Sequence, residues 1–403
     1  MFQAHPERQL TKITLLVVSS LTVMASATIA PALPAMHAAF SDLPNVDLLV
    51  RLVLTIPGLF IVLGAPAAGF IVDSYGRKRL LVVSTFLYAI TGSAGYFFDS
   101  MTAILIGRAL LGIAVAGVMI SVTTLIADYY QGEARARFLG RQAAFMNFGG
   151  VLFTAAGGFL ADVTWQTPFL IYLVAFVILP FTVIALLEPK RQEPEAAALD
   201  SENGSKVTFP IGQLLPIYIT ALVLLTAFIM MIIQLPFLLG AVAGASATQS
   251  GLAISGAILF SIPPSLMFAR INKRLSMFTI VTVGFVLFGI GYPIIGLGTG
   301  FLQIFGGAAI AGIGLGLLMP TLNVWLVARA PEVFRGRAFG LLTTSVFFGQ
   351  FISPFITEPI SSQVGIGGSF VVVGAVMLAV AAAFFVGGRI SSEAETLVPS
   401  EPV

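Results

Sequence analysis

The stretch Gly69-Phe70-Ile71-Val72-Asp73-Ser74-Tyr75-Gly76-Arg77-Lys78-Arg79 sets a carboxylate, two glycines and three bases between two long apolar runs, residues 48–72 and 80–98. Each run is close to the ~20 residues that a helix needs to cross a bilayer. The turn between them therefore lies at a membrane surface. Asp73 and Arg77 are four apart, within reach of each other on one helical face. Gly76 suits a tight turn, and Gly69 permits close approach of a neighbouring helix. Bases alone would anchor topology. An Asp and two glycines are more than anchoring needs, so the turn reads as a latch between moving parts.

The same pattern repeats on either side. Apolar spans fall at 13–34, 48–72, 80–98, 102–127, 139–161, 168–187, 214–239, 250–269, 276–297, 302–327, 338–357 and 369–387, twelve in all. Hydrophobic residues make up 58% of the 403 and charged residues 9%, against roughly 25% charged in an average soluble domain. A soluble chain this apolar would expose large sticky patches. In lipid every backbone group must be satisfied within its own segment, so uninterrupted runs of this length are helices.

Eighteen of the 20 Lys and Arg residues lie in the tails or in alternate loops. The loop clusters are Arg77/Lys78/Arg79, Arg135/Arg137/Arg141, Lys190/Arg191/Lys206, Arg270/Lys273/Arg274 and Arg329/Arg335/Arg337. The positive-inside rule puts both termini in the cytoplasm, and an even number of spans agrees. A net charge of +2 gives no footprint for nucleic acid. The absence of cysteine excludes disulfides and thiolate metal sites, and His5 and His37 are the only histidines. No cofactor or metal is therefore expected. A membrane enzyme would need His, Cys or carboxylates clustered inside the spans, and the sequence has no such cluster. Ala25-Ser26-Ala27 has the form of a signal-peptide cleavage site, but the apolar run continues to Pro34 and eleven spans follow.

The longest polar stretch, 188–213, reads as a flexible cytoplasmic linker. It divides the chain into a six-span half (1–187) and a second six-span half with a short tail (214–403). At an offset of 200, Ile104, Gly107, Ala109, Gly112, Ile113, Met119, Arg135, Arg137, Gly140, Phe148 and Gly149 recur as identical residues. The Arg-x-Arg-x-x-Gly shared after spans 4 and 10 is the most specific part of this repeat.

With span count, linker and repeat, the 69–79 turn resembles the signature of the major facilitator superfamily. The resemblance covers nearly the whole chain. It implies an all-α membrane fold of two pseudo-symmetric six-helix bundles, with substrate bound near the midplane between them. It also implies transport by alternating access, a monomer, and a location in the cell inner (plasma) membrane. By the same resemblance, Gly69, Asp73, Gly76, Arg77 and Lys78 form a gating element. Asp73 would face the cytoplasmic start of span 11 around Gly336–Gly340, where a helix dipole favours a carboxylate, and Arg77 would reach Asp128. Ser74 stands where the family usually has Arg.

Arg108 lies inside span 4, and a mid-membrane Arg needs a reason to be there. Arg108-Ala109-Leu110-Leu111-Gly112 resembles a span 4 motif implicated in coupling. The repeat-related residue is Ala308, so the charge is not a scaffold requirement of both halves. Several drug-efflux relatives carry an acid in span 1 where this chain has Ala27, and no Asp or Glu lies mid-span. The remaining acids are peripheral: Asp99, Asp162 and Glu358 outside, Asp73 and Asp128 inside. Arg51 is expected to pair with Asp47, one turn earlier.

Gly149, Gly157 and Gly158 fit the glycine-rich span 5 motif of the drug:proton antiporter branch, although Phe153-Thr154 replaces its Gly-Pro. This favours proton-coupled export of amphipathic or lipophilic organic molecules. The alternative is proton-coupled uptake of a small organic nutrient. A lining drawn from spans 1, 4, 5, 7, 10 and 11 offers Ser26, Thr123, Asn147, Gln234, Asn323 and Gln350 as polar groups, and Phe145, Phe148, Trp325, Phe347 and Phe348 as aromatics. Such a pocket is poor in fixed charge and suits a neutral or weakly charged amphipath.

Overall fold

The computed structural model of the protein describes residues 8–189 and 209–396. Among them are α1 (Gln9–Ala39), α2 (Val46–Tyr75), α3 (Arg77–Phe97), α4 (Met101–Tyr129), α5 (Gly132–Ala161) and α6 (Thr167–Ala185). After the linker come α7 (Ile211–Ala243), α8 (Ala247–Asn272), α9 (Met277–Gly296) and α10 (Phe301–Arg329). The remaining helical run, Arg335–Thr396, has 62 residues. Straight, it would be about 90 Å long, roughly three hydrocarbon thicknesses. Gly365, at φ 74° and ψ 166°, breaks it. That backbone conformation is one glycine adopts freely. The run is thus two spans, α11 (335–364) and α12 (366–396), and the total is the expected twelve. Most of the 188–213 linker lies outside the described residues.

Local chemistry explains the interruptions. In α1 the α-helix stops at Ala27 and resumes at Leu33 after a 3-10 turn over Ala30–Ala32 that carries Pro31. Proline tolerates a first turn and breaks an interior one. Helix α2 runs for 30 residues through Pro57 and Pro66, so two of its carbonyls lose their intrahelical donor. Exposed Phe70, Leu266 and Leu302 give the outer face the apolar character that lipid requires.

Helices α1–α6 pack as one bundle and α7–α12 as another, and the two meet chiefly where α2 packs on α11 and α5 on α8. The offset-200 repeat has a structural counterpart. A methyl group on Gly149 would stand 2.8 Å from Ser20 Cβ of α1, and one on Gly349 would stand 2.7 Å from the Leu222 carbonyl of α7. Each glycine lets the fifth helix of its half lie close on the first.

Candidate functional site

Arg108 is 1% exposed, and among the described residues no carboxylate forms an ion pair with it. Its Nε donates to the Val53 carbonyl at 2.7 Å, one Nη to the Tyr172 hydroxyl at 2.8 Å, and the other Nη to the Ala25 carbonyl. Both carbonyls have a reason to be free. Val53 lies four residues before Pro57, which has no N–H to give it. Ala25 is in the last turn of the first α-helical segment of α1, where carbonyls are left without intrahelical donors and the dipole is negative. Arg108 therefore replaces two missing backbone donors and ties α4 to α1, α2 and α6. The Tyr172 ring also lies under the guanidinium, 5.4 Å from ring centroid to Cζ.

The adjacent residues face the other bundle. Gln350 of α11 is 4% exposed, and its Nε2 donates to Ser26 Oγ at 3.1 Å and to the Leu54 carbonyl at 3.4 Å. Arg108 thus fixes residues 25 and 53 from within one bundle, while Gln350 reads residues 26 and 54 from the other. Gly58 makes the approach possible, since a Cβ there would stand 2.9 Å from the Phe347 carbonyl.

Outward of this hub, two seams join the bundles. In the first, Arg51 of α2, 4% exposed, is ion-paired with Glu358 of α11. Asp47, expected to pair with Arg51, is bonded to His37 at 3.0 Å and attracts Arg51 through its charge without forming an ion pair with it. In the second, Asp162 at the end of α5 caps the start of α8. It accepts from the Ala247 amide at 2.8 Å, the Thr248 amide at 3.2 Å and the Thr248 hydroxyl at 2.5 Å. Burial acts to raise the Asp162 pKa, but the hydrogen bonds from Thr248 and Ala247 outweigh it and hold the carboxyl below the ordinary carboxylate value. A methyl on Gly158 would stand 2.6 Å from the Ala247 carbonyl, and one on Gly157 would run into the Thr28 carbonyl of α1. Successive glycines of α5 therefore serve opposite bundles.

On the basic side the 69–79 turn is assembled within the first bundle. Gly76 has φ 102°, and the Glu188 carboxylate packs where its Cβ would be. Glu188 accepts from the amides of Arg77 at 2.7 Å and Lys78 at 3.0 Å, so it caps α3 from 110 residues away. Arg77 Nε lies 3.1 Å from Asp128 Oδ2, without hydrogen-bond alignment. Asp73 is exposed, and open space surrounds the Cα atoms of Gly69, Gly336 and Gly340. The contacts expected of Asp73 with the start of α11, and of Gly69 with a neighbouring helix, are therefore not made here. The bundles meet through their outer halves, which leaves the cytoplasmic ends apart.

A cleft of ≈ 180 Å³ on this side lies between α2, α4 and α11, lined by Ile61, Met119, Thr343, Thr344 and Phe347 among others. Of the candidate lining residues, Ser26 and Gln350 touch each other. Asn147 is half-buried, and Phe148 and Phe348 are exposed, at 63% and 37%. Thr123 and Asn323 are exposed and bond back to the same Met119 and Met319 carbonyls of the repeat. Two candidates are corrected. Gln234 is fully buried against Ser369 of α12, 2.7 Å from its hydroxyl. Trp325 packs between Phe278 of α9 and Phe384 of α12. Both belong to the packing of the second bundle, because α7 and α10 turn these positions towards α9 and α12. Sequence reasoning missed Glu188, Tyr172 and the pairing of Glu358. Pro57 four residues after Val53 was the signal for an acceptor that Arg108 could use.

Two helical bundles, closed together on one side of the membrane and apart on the other, define a multi-pass membrane transporter. The Major Facilitator Superfamily profile matches residues 15–296 and again 217–402, and the chain belongs to that superfamily. It is 25% identical over 299 residues to Multidrug resistance protein 1 of Bacillus subtilis, covering 72% of this chain and 75% of that protein. It is 24% identical over 302 residues to the quinolone resistance protein NorA of Staphylococcus aureus, with the same coverage. Among solved structures, an inward-facing, unoccupied bacterial homologue of the human lysosomal transporter Spinster matches with a TM-score of 0.77 at 17% identity, covering 93% of this chain and 95% of that one. The nucleoside transporter NupG matches at 0.75 and 12%, covering 93% and 98%. At such identities these structures speak for the fold alone.

Proposed function

We propose that the protein is a proton-coupled exporter of amphipathic or lipophilic small organic molecules, working by alternating access as a monomer in the plasma membrane. Its two six-helix halves are the moving bodies, and 188–213 joins them. The observation that carries the direction of transport is the similarity, over 72% of the chain, to a multidrug and a quinolone resistance protein. The cytoplasm-facing cleft agrees, being lined by apolar and hydroxyl side chains without a carboxylate. Such a lining gives an apolar guest a dry wall and a few hydrogen bonds to orient it.

In this reading the turn at Gly69, Asp73, Gly76, Arg77, Lys78 and Asp128 is the inner latch, disengaged in the state seen here. Arg108 and Gln350 form the hub about which the bundles rock. The test is efflux of ethidium from loaded cells with and without the protein. Faster efflux, abolished by a protonophore, is expected. Efflux equal to that of cells lacking the protein would refute export of this class.

A further inference from the structure

The spans carry no mid-membrane acid of the kind expected to exchange protons, yet the structure supplies a carboxylate in another place. Glu358 lies on α11, eight residues outward of Gln350, and its side chain is 21% exposed. Its partner Arg51 belongs to the opposite bundle and is almost wholly buried. Around the pair stand His37 and Asp47, bonded to each other at the ends of α1 and α2, and Ser361 of α11, whose hydroxyl is 3.1 Å from Glu358 Oε2. From α7, Phe237 covers the Arg51 guanidinium, 5.8 Å from ring centroid to Cζ. Arg51 Nε has no hydrogen-bond partner among the described residues. Asp47 attracts Arg51 from its own helix, and the pair with Glu358 is the contact that exists only while α2 and α11 are together.

We infer that Glu358 is a proton-controlled latch of the outer seam, with Arg51 as the group that displaces the proton. The inference rests on the alternating-access reading above. When the outer seam parts, Glu358 leaves Arg51, faces outer water and takes a proton onto a carboxylate oxygen. When the seam closes, Arg51 returns to the carboxylate and favours its charged form. The proton leaves to water as the pair forms, since the Glu358 side chain stays 21% exposed in the closed seam. A cation that binds only the ionised carboxylate, and only in the closed seam, makes closure and deprotonation one event. The sign follows: the closed outer seam is favoured when Glu358 is ionised and weakened as pH falls through its titration.

The chain has no cysteine, so spin labels can be placed on Ser100→Cys and Thr299→Cys alone, in outer loops of the two bundles. Their separation is measured in nanodiscs across an acid-to-neutral series without any drug. The wild-type background should shift to longer separations on acidification. Glu358→Gln should be long at every pH, and Glu358→Asp should respond to pH again. Arg51→Gln should also lose the response. A pH response in Glu358→Gln like that of the parent would overturn the assignment, as would a parent with no response.

Gradient-driven ethidium flux in proteoliposomes is the second arm, and Glu358→Gln should lose its gradient-driven component. Label distances governed by Glu358, with no ethidium flux even in the parent, would support the proton-controlled latch and refute the export reading instead.

Discussion

Gly158→Ala should open the outer seam without harming either bundle. The new methyl would stand 2.6 Å from the Ala247 carbonyl, 3.0 Å from Gly251 Cα and 3.2 Å from Thr248 Cα. All three atoms belong to the α8 main chain, so no side chain can rotate away. The helices must part by most of an ångström, and overpacking of this kind costs about 1–3 kcal/mol. The contact spans the two bundles, so the cost falls only on the state in which they touch. The equilibrium should move towards the outward-open form by about 5–150-fold. Gly157→Ala is the matched control, because its methyl meets α1 of the same bundle. That cost falls on the folded bundle in either state. Pulsed electron spin distances between labels on Ser100→Cys and Thr299→Cys read the populations, and thermal unfolding reads the bundle. Gly158→Ala should lengthen the outer distance at nearly unchanged melting temperature, and Gly157→Ala should lower the melting temperature. An unchanged distance distribution in Gly158→Ala would refute the assignment of this seam to one state.

Further expectations follow from single contacts. Asp162→Asn should favour the outward-open form at neutral pH, since the amide caps α8 more weakly than the carboxylate does. The folded Asp162 pKa is depressed, so its contribution is complete above the ordinary Asp value of about 3.9 and is lost as pH falls through the lowered one; the variant should lack that acid limb in the label distances. Glu188→Ala removes the cap on the Arg77 and Lys78 amides and should cost about 0.5–2 kcal/mol, as lost caps do, read as a lower melting temperature. Arg108→Lys should impair transport while leaving expression intact, because one ammonium cannot serve Val53, Ala25 and Tyr172 together. Pro57→Ala restores a donor to the Val53 carbonyl and should soften the Arg108→Lys defect. Additive losses in the double variant would contradict that account.

The fold was legible because its signals are long. Twelve apolar runs, alternating basic loops and an offset-200 repeat each span many residues and agree. The join between α11 and α12 was not legible in this way: the gap at 358–368 reads as a loop, whereas the helix runs on through it and breaks only at Gly365. The site was legible only in part. Arg108 announces itself as a charge in lipid, but its acceptors depend on where α1 breaks and on which carbonyl Pro57 frees. Arg51 looked settled by Asp47 one turn away, and no local rule says that α11 brings Glu358 against it. Gln234 and Trp325 were misplaced for a related reason. A polar or aromatic residue on a cavity-lining helix has several faces to occupy, and packing against α9 and α12 decides which.

The most direct test of proton-coupled export is proton movement in acid-loaded everted vesicles containing the protein, challenged with ethidium. The account predicts alkalinisation of the lumen on addition, matched by ethidium uptake, and absent from vesicles without the protein. Ethidium uptake that proceeds equally after the gradient is collapsed, with no lumenal pH change, would contradict it.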